Sequence, residues 1–347
     1  MTKAQHRLAI VGRQGGSNLG SSFLSAAQEL GYQTLFYNDL DAYSRYHLIN
    51  ALRWRFADRR PALLNQFEQV LLRDAATGLF TILISSGLTP ISRSCLMELS
   101  SLGVRCLHFS SDDPWNRMQR SRWFLQSLPF YHHIFTPRQA NLEQFREIAP
   151  GRVGLLQFGF DRQATLQHLA GASVPITRNH HIYPGLSSSL LFVGGADPDR
   201  VAFVRSLKRL RVSVLLIGAY WHRHHDLREN DLGHLPPSQV ARYTQEACVN
   251  LILVRRQNRD GHTMRTFEAA ALGGCLLVED STDHRHLFGS ESECVLYFKD
   301  PRSCAQQFLR FLSQPVFRNQ LANAAKQRLW AGGHTYADRL KTMLATC

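Results

Sequence analysis

GHTMRTFEAAALGGCLLVED, Gly261 to Asp280, decides the reading of this chain. Thr263 is a fitting N-cap for a helix that Gly273 and Gly274 end, and CLLVED (275–280) has the apolar density of a buried strand. A helix built only for packing would carry leucine where this one has Ala269, Ala270 and Ala271. The alanines instead let its axis sit close against a sheet. A helix N-terminus offers backbone N–H groups and the positive end of a dipole, a ready place for a phosphate. Arg265 adds a forked donor there, and Glu268, one turn in, can accept from two neighbouring hydroxyls at once. Asp260, Gly261 and His262 form the loop that enters the helix. The plainer alternative is that Glu268 only complements the dipole and Arg265 is solvated. Asp260, Arg265, Glu268 and the double glycine together favour a large phosphorylated ligand.

Working outward, strands and helices alternate on both sides. RLAIVG (7–12), QTLFYND (33–39), LFTILISSG (79–87), VRCLHFSS (104–111), HHIFTP (132–137) and RVGLLQFG (152–159) read as strands, with helical periodicity in segments such as SSFLSAAQELGY (21–32) and PALLNQFEQVLLRDA (61–75). GASVPITRNHHIYPGLSSS (171–189), rich in proline, glycine and serine, reads as a linker. The alternation then restarts with LLFVGG (190–195), SVLLIG (213–218), VNLILVRR (249–256) and CLLVED. Such alternation implies parallel sheets covered on both faces. The expected fold is α/β, two Rossmann-like doubly wound domains facing a cleft. Residues 1–172 would form the first domain and 173–330 the second, with a C-terminal helix in 331–347 packing back on the first. Ligands of such sheets sit beyond the C-terminal strand ends, which makes Gly194 and Gly195 candidates for ligand contact.

The 347 residues suffice for two cores, and with 44% hydrophobic and 19% charged residues disorder is not expected. Seven scattered cysteines without a CxxC pair read as reduced thiols. The N-terminus runs into a strand without the apolar core of a signal peptide, and no apolar run approaches a membrane span, so a cytoplasmic location is expected. A net charge of +13 attracts anions in general, be they nucleotides, nucleic acid or an anionic membrane.

Four further stretches carry candidate chemistry. GRQGGSNLG (12–20) lacks the Gly-Lys-Ser/Thr of a P-loop; Gly15 and Gly16 either let backbone approach a ligand or only make a tight turn. HFSSDDPW (108–115) ends a strand, which puts His108, Asp112 and Asp113 where a general base is wanted; alternatively Asp112 caps a helix begun by Pro114. WHRHHD (221–226) packs three histidines and an aspartate together, but His224 and His225 are adjacent and no second cluster has metal spacing, so no metal site is expected. YSRYHLINALRWRFADRRP (43–61) interleaves five arginines with aromatics. It is either a basic amphipathic helix for an anionic bilayer or polyanion, or a solvated helix with its aromatics in the core.

MRTFEAAALGGCLLVEDSTDHRHLF (264–288) resembles the donor-binding segment of GT-B glycosyltransferases, and more narrowly of the spore-maturation-protein-type branch of group 1. HFSSDDPW with HHIFTPRQANLEQF (132–145), LLQFGFD (155–161), LGHLPPSQVARYTQEACVNLIL (232–253) and GGHTYADRLKTML (332–344) resemble further parts of that branch in the same order. The family carries two glutamates separated by seven residues; here the second is Glu268, and the position eight earlier is Asp260, one methylene shorter. The resemblance implies a glycosyltransferase working without a metal or other cofactor on a nucleotide-sugar co-substrate, UDP- or GDP-linked. The base would lie by His234 and Leu235, the ribose on Glu268 and the diphosphate by Arg265, with Gly261, His262 and Thr263 beside it and Asp260 near the sugar. Asp113, Asp112 or His108 would serve as base if the reaction inverts. The implied acceptor is a glycan, a lipid-linked sugar or another surface polymer; if the basic stretch 43–61 is the amphipathic helix, peripheral contact with the inner membrane face is expected as well. Two other readings stay open: a nucleotide-sugar epimerase or hydrolase on the same scaffold, and a non-enzymatic polyanion-binding protein.

Overall fold

A computed structural model describes residues 7–15, 18–171 and 185–347. The strands are β1 (Arg7–Gly12), β2 (Gln33–Asn38), β3 (Ile82–Ser86), β4 (Arg105–Phe109), β5 (His133–Thr136), β6 (Val153–Leu155), β7 (Leu190–Val193), β8 (Val214–Ile217), β9 (Val249–Ile252), β10 (Leu276–Glu279) and β11 (Leu296–Phe298). They form two sheets, β2-β1-β3-β4-β5-β6 and β11-β10-β9-β7-β8. Every pairing between these strands is parallel. The chain divides into two compact units. One takes in the chain up to Gln157, Gln257–Arg259 and Tyr336–Cys347; the other is Phe158–Arg256 with Asp260–Thr335. The expected boundary between residues 172 and 173, like most of the linker, lies outside the described residues.

The period-2 geometry of strands explains the cores. In the second unit Leu190, Phe192, Val214 and Leu216 point into one cluster with Val201, Val204, Trp221 and Phe308. Their neighbours Leu191, Leu215 and Ile217 point into a second cluster with Leu186 and Ala247, flanked by Val240 and Tyr243. Both faces are therefore dry, and continuous apolar runs replace the alternation of a half-wet sheet. In the first unit Ala9, Val11, Leu83, Cys106 and Ile134 pack with Phe67, Leu71, Leu96 and Phe145 from the covering helices. The helix Tyr336–Leu344 belongs to this unit as well: the Tyr336 ring meets Phe23 edge-on at 5.5 Å, and Arg339 donates to the Gln157 carbonyl at 2.9 Å.

Several elements were not foreseen from sequence. They include the helices Arg122–Ser127, Thr282–Phe288 and Pro315–Ala331 and the strand β11. Two of these helices and the strand are too short for a period to show. The expected helix at Pro114 does not form; residues 114–119 are turns, and the side chain that accepts there is Asp113, from Trp115 N–H at 3.0 Å, rather than Asp112.

The double glycine of the opening stretch has two separate explanations. The helix Met264–Ala271 ends in Gly273 at φ +85°, a left-handed residue. Gly273 N–H bonds to Ala270 and Gly274 N–H to Ala269. Gly274 has an ordinary φ but no room: an added Cβ would lie 2.5 Å from Asn250 Nδ2 and 2.9 Å from the Thr244 carbonyl. Asn250 is buried and donates to the Thr244 and Cys275 carbonyls, so it cannot step aside without losing both bonds. The three alanines of the helix are fully buried, which is why no larger side chain stands there. Gly274→Ala should destabilise the protein by roughly 1–3 kcal/mol through overpacking, read as a lower urea midpoint at unchanged slope.

Candidate functional site

In an open parallel sheet the ligand crevice opens where successive crossovers leave to opposite sides. In the second unit that point lies between β7 and β9. The loop after β7 holds Gly194 and Gly195. Gly194 accepts from Trp221 Nε1 at 2.8 Å, and Gly218, at φ +141°, comes so close that a Cβ on it would lie 2.4 Å from the Gly194 carbonyl. Gly195 accepts from Arg200 at 3.2 Å. Arg200 stands in the first turn of the helix Pro198–Arg209, over the Phe192 ring and 3.3 Å from Asp197. Burial pulls its pKa down, against the opposing effect of Asp197. A cavity of about 370 Å³ opens beside it, lined by Arg200, Phe203, Leu253, Arg256, Glu279 and Lys299 among others. Glu279 is buried at the end of β10, accepting from Val254 N–H at 3.0 Å and Arg256 at 2.8 Å. Sequence reading missed Glu279, Arg256 and Lys299; the available signal was their place at the end of β10 and shortly after β9 and β11.

Glu268, Arg265 and Thr263 do not line that cavity. Arg265 and Glu268 pair with each other at 3.2 Å and are each about one-fifth exposed, so a ligand hydroxyl would compete with that contact. Thr263 is the N-cap, and its N–H donates to Thr266 Oγ1 at 3.2 Å. Thr266 Oγ1 lies 3.1 Å from His284 Nε2, and His284 Nδ1 lies 2.7 Å from the Glu279 carbonyl. A carbonyl only accepts, so Nδ1 carries the proton and Nε2 accepts from Thr266. This chain ties the helix start to the end of β10.

Gly261 and His262 belong to the same brace. A Cβ on Gly261 would fall 2.2 Å from Asp283 Oδ2. His262 is 2% exposed, with Nδ1 3.0 Å from that carboxylate. Phe158 N–H donates to its Nε2 at 3.4 Å, which leaves Nδ1 as donor to Asp283. That bond lowers the Asp283 pKa. Asp260, the other candidate in this loop, is half-buried and donates its N–H to the Arg255 carbonyl at 3.2 Å. His234 is exposed; Leu235 is half-buried against the Leu191 and Ile217 cluster.

In the first unit the corresponding point lies between β1 and β3. Gly15 is exposed at φ +81°, its N–H bonded to Ser21 Oγ at 2.8 Å and its carbonyl to Asn18 at 2.6 Å. Gly16 lies outside the described residues. The stretch at the end of β4 is held from several sides. Arg138, buried, donates to the Ser110 and Ser111 carbonyls. Asp113, 2% exposed, takes a two-pronged bond from Arg259 at 2.7 and 3.1 Å and another from Asn141 at 3.0 Å. Asp112 is half-buried, 3.4 Å from both Asn258 and Ser111. Nothing local in the sequence announces Asn258 or Arg259, which stand 146 residues away.

His108 is not at a site. It is fully buried, its Nδ1 2.8 Å from Ser85 Oγ and its ring 4.8 Å from that of Tyr131. Burial pushes its pKa down to about 3. A base must reach the hydroxyl it deprotonates, and this ring reaches only the core. Asp113 is likewise engaged by Arg259. Among the described residues no group of three or more His, Cys, Asp or Glu side chains is gathered as a metal ion would need; Asp226 of the histidine-rich segment is held two-pronged by Arg205 at 2.8 and 2.9 Å.

The sequence family described as glycosyl transferase-like matches residues 200–345. No curated protein matches the chain in sequence. Solved structures share its fold from end to end. Sucrose-phosphate synthase from Thermosynechococcus elongatus is 12% identical at a TM-score of 0.63, covering 98% of each chain. HepE from Anabaena, in complex with UDP-glucose, is 11% identical at 0.60, over 98% of this chain and 100% of that one. A candidate UDP-N-acetylglucosamine 2-epimerase from Listeria monocytogenes is 11% identical at 0.58, over 99% and 96%. The fold is GT-B: two parallel-sheet, Rossmann-like α/β units of six and five strands.

The buried histidines give this scaffold an acid limit. Burial lowers His284 to about 4 and His108 to about 3, from 6.5. Below 6.5 the unfolded chain binds protons that the folded one refuses, so stability is full above that pH and falls as pH drops. Each group contributes up to ~1.4 kcal/mol per pH unit below 6.5, so acidification from pH 7 to pH 5 should cost roughly 4 kcal/mol for the pair. Urea midpoints at neutral and acid pH will measure this, and His108→Gln should lose less on acidification than the parent protein even if it starts less stable.

Proposed function

We propose that this protein is a glycosyltransferase moving a sugar from a nucleotide-sugar donor to an acceptor hydroxyl, with the donor on the second unit. The observation that carries the reading is the glycosyl transferase-like match over 200–345, which takes in the helix bearing Arg265 and Glu268. We assign donor binding to residues 173–330 and acceptor binding to 1–172 with 331–347, and the chain to the spore-maturation-protein-type branch of group 1. In this reading Glu268 exchanges Arg265 for the ribose hydroxyls and Arg265 turns to the diphosphate with Arg200. His234 and Leu235 flank the base, Gly194, Gly195 and Gly15 allow close backbone approach, and Asp260 lies near the sugar. Gly261, His262 and Thr263 hold the loop in shape. Displacement at the anomeric carbon sends the bonding pair to the diphosphate oxygen, where preorganised positive charge stabilises the leaving group. If the reaction inverts, Asp112 takes the acceptor proton; His108 is sealed and Asp113 is paired.

UDP is the first nucleotide to try, since HepE binds UDP-glucose on the same fold. The cytoplasm, where nucleotide sugars are the activated donors, suits this reading, with a glycan, lipid-linked sugar or surface polymer as acceptor. The epimerase reading is favoured by the Listeria protein of the same fold. UDP released from the donor without any acceptor would support an epimerase or hydrolase.

A thermal-shift series with UDP, GDP, ADP and TDP tests the donor site, because a ligand bound only by the native state raises its stability. Glu268→Ala should abolish the shift given by the best nucleotide while leaving the ligand-free melting temperature within a few degrees. The carboxylate bonds it removes are worth roughly 1.5–3 kcal/mol each; an unchanged nucleotide affinity would refute the assignment. Turnover should also survive exhaustive EDTA, and its specific restoration by Mn²⁺ or Mg²⁺ would place the protein in another class.

A further inference from the structure

The helix His47–Phe56 contains no buried residue. Leu48 is 72% exposed, Leu52 50%, Ile49 40% and Phe56 79%. At 100° per residue these four side chains fall within one sector of about 100°. Arg53 and Arg55 flank that sector on its two sides. On the opposite side Asn50, half-buried, accepts from Ser44 N–H at 3.0 Å and donates to the Ser44 carbonyl at 2.6 Å, and the Arg59 guanidinium lies over the Trp54 ring at 4.8 Å, while Trp54 itself stays 49% exposed. The anchorage continues past the helix. Arg59 donates to the Met118 and Arg120 carbonyls, and Asp58 accepts from Arg122 N–H at 2.6 Å and Trp123 N–H at 3.0 Å. Asp58, the one acid of residues 45–60, is thus consumed by backbone. Met118 adds 68% exposure beside Arg117 and Arg120.

A core helix would turn its leucines and phenylalanine inward, and a solvated one would not carry four large apolar side chains on its outer sector. A helix with an outward apolar ridge between arginines, tied down just past its end by Asp58 and Arg59, matches a surface that is anionic above and apolar below. We propose that the outer face of His47–Phe56 docks on an anionic phospholipid bilayer, with Leu48, Leu52 and Phe56 entering the acyl boundary and Arg55, Arg60 and Arg117 at the phosphates. The helix lies in the plane of the interface, as amphipathic helices with this distribution do. This inference does not rest on the sugar-transfer reading.

The test is flotation of the full chain with phosphatidylcholine vesicles, alone or carrying about a third phosphatidylglycerol. Each arginine near an anionic surface contributes about 1 kcal/mol, close to fivefold in binding, and salt screens it. The protein should bind the anionic vesicles at least about tenfold more tightly than the neutral ones. Arg55→Gln with Arg60→Gln should lower anionic binding by at least about tenfold. Leu48→Ser, Leu52→Ser and Phe56→Ser together should abolish it at unchanged circular dichroism; should that variant unfold, the arginine pair carries the test. No association with anionic vesicles, or equal association with both kinds, overturns the proposal. So does a dimer in light scattering that the triple variant dissolves while the parent ignores vesicles, which would assign the ridge to a second copy of the chain.

Discussion

The inner parallel strands of both units are buried on both faces, and most of the architecture answers to that. A parallel neighbour can be reached only by a crossover, and the crossover helix must itself cover a face of the sheet. The helix Met264–Ala271 shows how tightly this is drawn. Its alanines are fully buried, Gly274 has no room for a methyl group beside Asn250, and Trp330 Nε1 closes its C-terminus by donating to the Ala271 carbonyl at 3.0 Å. The same economy appears where Gly20 approaches Arg13 so closely that a Cβ would lie 2.8 Å from its carbonyl.

Where the strands end, polar side chains replace apolar ones as the means of holding the chain. Loops there must be shaped without losing backbone hydrogen bonds. Arg138 binds two carbonyls after β4, Glu279 binds Val254 N–H after β9, and Asp283 fills the space Gly261 leaves open. Arg138 and Glu279 are buried and Asp283 is half-buried, yet each has partners, so the cost of desolvation is offset. Several residues that suggested chemistry in the sequence turn out to perform this bracing. His262, paired with Asp283, is one, and Asp113, gripped by Arg259, is another. The half-buried Glu268, Arg265 and Asp112 keep enough exposure to meet a ligand.

Charge is distributed unevenly relative to its use. Arg205, Arg285 and Arg328 are each paired with a carboxylate within 3 Å. Among the described residues no carboxylate pairs with the arginines of His47–Phe56, and its outer face adds apolar exposure, a combination that costs solubility unless something covers it. Exposure there and closure at the strand ends are separate properties of one chain, the first set by a helix that buries none of its residues.

The sequence by itself determined the alternation of strands and helices and the parallel sheets, because a period of two or 3.6 residues and a glycine after a helix are local properties of a chain; the GT-B class came from the resemblance of 264–288 to that family. Thr263 as N-cap and Gly273 as helix end were legible for the same reason. The seven-residue helix Thr282–Phe288 and the three-residue β11 were not, since fewer than two or three periods leave no pattern. Within the candidate site, sequence named loops at strand ends but could not sort candidate ligand contact from bracing. Whether His108 is a base or a core histidine depends on Tyr131 and Ser85, strands away. Whether Asp113 is free depends on Arg259, 146 residues later. Tertiary structure alone decided these roles, because burial and charge pairing are made by residues that only folding brings together.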